Sequence, residues 1–203
     1  ALHHGLGLAA EPLPIEEAHR LEPALGREAR AAALLPEEAC LDNRALTEAV
    51  LAAAVASGVE ILANTKVVGL VRNGARCSGV VAGGRAISAG NVILAAGAFC
   101  KAIEGVPCDV AIRPVRGQMV ALHNGGARLH RVLRSDRGYI VPRDDGSPQR
   151  LVAGSTIEEA GFEKRVTPRG LEQIFSAVQE LVPGLEGAEV IETWSGLRPG
   201  TPD

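Results

Sequence analysis

Two dipeptides, Asn73-Gly74 and Gly83-Gly84, interrupt a stretch dense in valine and alanine and constrain the chain more than anything else in it. Asn-Gly and Gly-Gly close two-residue hairpins, because a primed turn needs positive φ at its centre. They cut the stretch into Val67–Arg72, Arg76–Ala82 and Arg85–Ser88, short strands joined too tightly to be anything but an antiparallel meander. Before it, Asp42 or Asn43 caps a helix whose Leu46, Ala49, Val50 and Ala53 share one face and which Gly58 stops. After it comes "NVILAAGA", a continuous apolar run ending in small residues, which predicts a strand buried on both faces. Helix, strand, meander and buried strand in that order predict the back half of a doubly wound unit.

A second sheet-rich region follows: "VAIRPVRGQMVALHN", "LHRVLRS", "GYIVPRDDG" and "RLVAGST". Gly117 in the first of these predicts a bulge or a close contact. Thr167-Pro168 then opens a helix through Val182, with Leu171, Ile174, Phe175, Val178 and Leu181 on its buried side. "AEVIETWSG" is a last strand delivering a loop that carries Arg198. Nearer the N-terminus, "LPIEEAHRLEPAL" reads as a short helix from about Pro14, broken by Pro23. The fold class is α/β (α+β).

Bulk properties exclude several function classes. With 203 residues the chain can bury a real core, as one large domain or two small ones. A net charge of −3 supplies no basic footprint for nucleic acid. The longest near-apolar run, "AVLAAAVASGV" from Ala49, is too short to span a bilayer, and no secretion signal opens the sequence. Cys40, Cys77, Cys100 and Cys108 form no C-x-x-C pair, and the histidines form no H-x-x-x-H pair, so no metal site is expected. Reduced thiols fit a cytoplasmic protein. Nothing marks a subunit interface, and a homo-oligomer stays open. The chain opens without Met, which suggests a piece of a longer protein.

Three motifs carry chemistry. "GLGLAA" at Gly5–Ala10 matches the dinucleotide fingerprint on paper, but a phosphate loop needs a buried strand before it and a helix after it. Four residues precede it, Pro12 and Pro14 follow, and it is rejected. In "ETWSGLRPGTPD", Pro199 drives Arg198 toward an extended backbone, and glycines stand on both sides. A guanidinium held there suits a carboxylate, which it can clasp with two parallel hydrogen bonds; a solvated surface arginine is the plain alternative. Tyr139, the single tyrosine, shares a strand face with Val141 and opposes Ile140. It is either a half-buried sheet residue or a hydroxyl that orients a small polar ligand. Trp194 reads as core.

Taken in order, "VILAAGA", "PVRGQMV", "GYIVPR", "RLVAGST" and "WSGLRPGTPD" resemble the flavin-dependent D-amino-acid oxidase superfamily, and within it the glycine oxidase branch that serves thiamin biosynthesis. The resemblance runs from about Leu41 onward and loosely covers the first forty residues. It implies two domains: a partial FAD-binding domain at 42–114 and 196–203, and a substrate domain with a mixed, largely antiparallel sheet at 1–41 and 115–195. It implies that Arg198 clamps a substrate carboxylate and that Tyr139 lies over the same pocket. Ile157 stands where glycine oxidases carry a methionine over the pocket. Val67 would touch the adenine end of FAD, with Ala95, Ala96 and Gly97 close to the cofactor. The expected reaction oxidises the C–N bond of glycine or another small amino acid to an imine, with oxygen reduced to peroxide. A dehydrogenase using another electron acceptor, or a non-catalytic carboxylate-binding fragment, are the alternatives. The family's N-terminal fingerprint unit and C-terminal flavin segment have no counterpart in this sequence, so the chain resembles the middle of a longer enzyme and is expected to hold no FAD by itself.

Overall fold

The computed structural model describes residues 9–107, 109, 111–143 and 148–202. Gly5 and Gly7 of "GLGLAA", Cys108 and Asp203 lie outside them. The chain divides into two compact units: residues 1–40, 116–158 and 164–196 form the first, and 41–115, 159–163 and 197–203 the second.

The first unit opens with a two-stranded antiparallel pair, β1 (Glu11–Leu13) and β2 (Ala32–Leu34), with α1 (Ile15–Leu21) between them. Pro14 precedes the first helical residue, where its missing N–H costs nothing, and the helix ends two residues before Pro23. The main sheet has the order β10–β6–β9–β8–β7. Its strands are β6 (Arg113–His123), β7 (Leu133–Arg134), β8 (Tyr139–Arg143), β9 (Arg150–Gly154) and β10 (Val190–Gly200). β9 pairs antiparallel with both β6 and β8.

Period-two alternation sends Val120, Leu122, Ile140, Leu151 and Ala153 to one face. There they pack with Ile174, Val178 and Leu181 of α3 (Pro168–Leu181) and with Leu129, Val182 and Leu185. This apolar layer is the core of the unit, and each large side chain in it contributes about 1.5–3 kcal/mol by leaving water. Thr167 caps α3, its hydroxyl accepting from the Gly170 N–H at 3.2 Å. Two buried polar side chains close off irregular backbone. The Glu22 carboxylate accepts from the N–H groups of His130 (2.7 Å) and Arg131 (2.9 Å). The Gln149 amide exchanges two bonds with the backbone of Leu129.

The second unit contains α2 (Asn43–Ala56) and the meander β3 (Val67–Asn73), β4 (Arg76–Ala82) and β5 (Arg85–Ser88). Asp42 caps α2, accepting from Arg44 and Ala45. Both turns fall where the dipeptides predict, with Gly74 at φ +60° and Gly84 at φ +77°. Two expectations differ. Leu46 and Val50 of the apolar stripe of α2 are exposed, and no residue of this helix is buried. Asn91–Ala96 forms no strand and Ile93 is 90% exposed. A strand exists only where a neighbouring backbone accepts its hydrogen bonds, and none among the described residues does so. The chain instead turns at Gly97 into a 3-10 helix, Gly97–Ala102, and returns to bond β3 through Glu104.

Candidate functional site

The face of the main sheet opposite α3 carries Met119 and Ala121 from β6, Tyr139 and Val141 from β8, and Val152 and Gly154 from β9. Tyr139 and Val141 do share a face, as alternation requires. Tyr139 is half-buried, and its hydroxyl donates to the Met119 sulfur at 3.4 Å.

Beside this row the β6–β9 ladder breaks. Pairing runs as far as Met119↔Gly154 and resumes at Arg116↔Glu158, so three steps along β6 answer four on the other side. The extra residue makes a bulge on the strand facing β6, between Gly154 and Glu158, and not at Gly117 itself, where the sequence predicts a bulge or a close contact. It also turns Ile157 outward, 78% exposed.

A buried polar cluster pins the bulge. Glu158 Oε2 accepts from Arg116 Nη2 at 2.6 Å, and its Oε1 accepts from Gln118 Nε2 and from the Thr156 hydroxyl. The Gln118 N–H donates to Thr156 Oγ1, its side-chain oxygen accepts from the Thr167 N–H, and its Nε2 also reaches Thr167 Oγ1. Burial pushes the Glu158 carboxyl upward, but the bonds from Arg116, Thr156 and Gln118 and the Arg116 charge outweigh it and hold the group at about 2. The segment carrying Ile157 is therefore anchored to β6 on both sides, through Thr156 and Glu158, and Gln118 ties β6 in turn to the cap of α3. Of this cluster the sequence reading recognised only Thr167, as a cap. The other four members stand at alternate positions, Arg116 and Gln118 on β6 and Thr156 and Glu158 after β9, and that spacing was the one available signal.

Arg198, Val67, Ala95, Ala96 and Gly97 belong to the second unit. Arg198 is exposed and sits within β10, whose strand continues through Pro199 to Gly200. Its backbone is extended, as the following proline demands, but the expected loop is a strand. Val67 opens β3 opposite Ala82. Ala95 and Ala96 lead into Gly97, which has φ +53° and where an added Cβ would meet nothing within 4 Å. Backbone with so little side-chain bulk and open space beside it fits close approach by a flat cofactor ring. Among the described residues no group of His, Cys, Asp and Glu could hold a metal, and Cys40, Cys77 and Cys100 are free thiols.

The family model described as FAD dependent oxidoreductase matches residues 1–203. The chain belongs to this FAD-dependent family. Within it, the chain is similar to a glycine oxidase of Pseudomonas putida, 31% identical over 93% of this chain and 52% of that protein. Among solved structures it resembles glycine oxidase from Bacillus cereus, with a TM-score of 0.86 and 25% identity over 98% of this chain and 55% of the other. It also resembles iminodiacetate oxidase from Chelativorans sp., with a TM-score of 0.80 and 32% identity over 96% of this chain and 53% of the other. The chain thus spans about half the length of the relatives it matches. The mixed helix and antiparallel-sheet fold resembles that of these oxidases. Among the described residues no helix is long and apolar enough to cross a membrane.

Proposed function

We propose that the intact protein is an amino-acid oxidase that oxidises the C–N bond of glycine or a similarly small amino acid, and that this chain is its central, substrate-binding portion. The reading rests on one observation above the rest: over nearly its whole length the chain is similar, in sequence and in fold, to glycine oxidases. The first unit is read as the substrate domain and the second as part of the FAD-binding domain.

Bound FAD supplies a two-electron acceptor for the hydride that leaves the substrate α-carbon. The protein's own residues orient the substrate and complement its charge. Arg198 is assigned to the substrate carboxylate through its guanidinium, and Tyr139 to orienting the substrate through its hydroxyl. Ile157, turned outward by the bulge, limits the side chain that the pocket accepts. Val67, Ala95, Ala96 and Gly97 form part of the cofactor's seat. Water then hydrolyses the imine to an oxo acid and ammonia. Oxygen is the proposed final acceptor, so that amino acid, water and oxygen give oxo acid, ammonia and hydrogen peroxide. The three free thiols among the described residues suit the reducing cytoplasm, where we place the enzyme.

The test is peroxide release by the full-length, FAD-loaded protein with glycine, and with sarcosine and small D-amino acids beside it. Peroxide with glycine supports the oxidase. Flavin bleaching without peroxide replaces it by a dehydrogenase, and no bleaching with any amino acid rejects the substrate class.

A further inference from the structure

Three residues fall in one row across the sheet face opposite α3. Met119 on β6 pairs with Gly154 on β9, and Gly154 pairs on its other side with Tyr139 on β8. Adjacent strands stand about 4.8 Å apart, so Met119 and Tyr139 start from backbones two strand spacings from each other. They meet because the central position has no side chain. The Tyr139 hydroxyl donates to Met119 Sδ at 3.4 Å, across Gly154. A Cβ on Gly154 would stand 2.3 Å from that sulfur and 3.0 Å from the Met119 methyl carbon, so any other residue there expels the thioether. The cluster around Glu158 lies directly beyond this row and clamps the backbone there: the Gln118 N–H donates to Thr156 Oγ1, and Arg116 and Glu158 exchange backbone bonds.

We propose that Met119 is a positioning residue for Tyr139, holding the phenol ring over Gly154 in a single orientation. A thioether suits the task. It is unbranched, so it reaches over the glycine, and polarizable, so it packs favourably against an aromatic edge while accepting the hydroxyl proton. Leucine has nearly the same volume and keeps the packing, but offers no acceptor. Without the sulfur the ring regains rotamers and its hydroxyl turns to solvent. The kinetic consequence, though not the geometry, rests on the reading of Tyr139 as a pocket residue.

Met119 and Tyr139 are the single methionine and the single tyrosine of the chain, so each gives one set of NMR signals in selectively labelled protein. We expect a cross-peak between the Met119 methyl and the Tyr139 ring in the 203-residue chain. We expect Met119→Leu to shift and average the ring signals while core methyls of Ile140 and Ile174 stay in place. Gly154→Ala should abolish the cross-peak. No cross-peak in the parent chain, or unchanged ring signals in Met119→Leu, would overturn the proposal. In the full-length, FAD-loaded enzyme, Met119→Leu should lower kcat several-fold with KM within about twofold, as loss of orientation rather than of binding. In a Tyr139→Phe background the same substitution should change nothing further. Fully additive effects would mean that Met119 acts elsewhere, and would overturn it. Should Tyr139→Phe leave the kinetics untouched, the pocket reading of Tyr139 fails, and the ring signals decide the Met119 assignment independently.

Discussion

Glu158→Gln should cost the first unit about 3 kcal/mol at neutral pH, and the loss should vanish in acid. The magnitude comes from the site. Glu158 Oε2 lies 2.6 Å from Arg116 Nη2, with the arginine side chain 7% and the glutamate 25% exposed. The bonds from Arg116, Thr156 and Gln118 hold the carboxyl at about 2 against an ordinary 4.5. At about 1.36 kcal/mol per pH unit, that gap is worth about 3 kcal/mol. Because the folded value is depressed, the stabilisation is complete above about 4.5 and is lost as pH falls toward about 2, the unfolded chain taking up the proton first. Glutamine keeps the shape and an acceptor for Thr156 and Gln118, but faces Arg116 with an N–H₂ group, donor against donor. Below about pH 2 the parent residue is also neutral, so parent and variant should converge. Trp194, the single tryptophan, lies in the first unit and reports its urea unfolding by fluorescence. With a slope of about 1–3 kcal/mol per molar urea, the midpoint should drop by about 1–3 M at pH 7. A loss below about 1 kcal/mol at pH 7, or the same loss at pH 7 and pH 3, would refute the reasoning.

Gly170→Ala should disorganise the same cluster, since a Cβ there would stand 2.2 Å from Gln118 Nε2 and 2.4 Å from its amide carbon. The expected loss is about 1–3 kcal/mol by urea unfolding, with Gln118 side-chain amide protons exchanging faster. Glu22→Leu leaves the N–H groups of His130 and Arg131 without their carboxylate and should destabilise the first unit by about 2–4 kcal/mol. Hydrogen exchange at those two amides should rise most; protection unchanged there would count against the assignment. In the full-length enzyme, Arg198→Ala should raise KM for carboxylate substrates at least about tenfold, as expected for loss of a charge-assisted hydrogen-bond pair. Steady-state kinetics that match the parent would remove Arg198 from the carboxylate clamp.

Much of the fold is legible where local chemistry decides. The Asn73-Gly74 and Gly83-Gly84 turns set the meander, because a dipeptide that tolerates positive φ closes a hairpin wherever it falls. Asp42 and Thr167-Pro168 mark their helix starts because capping involves only residues a turn apart. The face shared by Tyr139 and Val141 follows from alternation alone. "NVILAAGA" misleads for the opposite reason: its apolar character states a preference for burial, while strand formation needs a partner backbone from elsewhere. The same holds for the exposed apolar stripe of α2.

The sequence by itself determined which segments turn and where helices start. Both depend on neighbours a few bonds away. Only the tertiary structure decided that Glu158 binds Arg116, forty-two residues distant, that Gln118 joins the cap of α3, and that Tyr139 meets Met119 across Gly154. Those meetings depend on strand order and register, and on the one-residue slip at the bulge. Long-range pairing of that kind is chosen by the burial of the whole sheet, and no single segment encodes it.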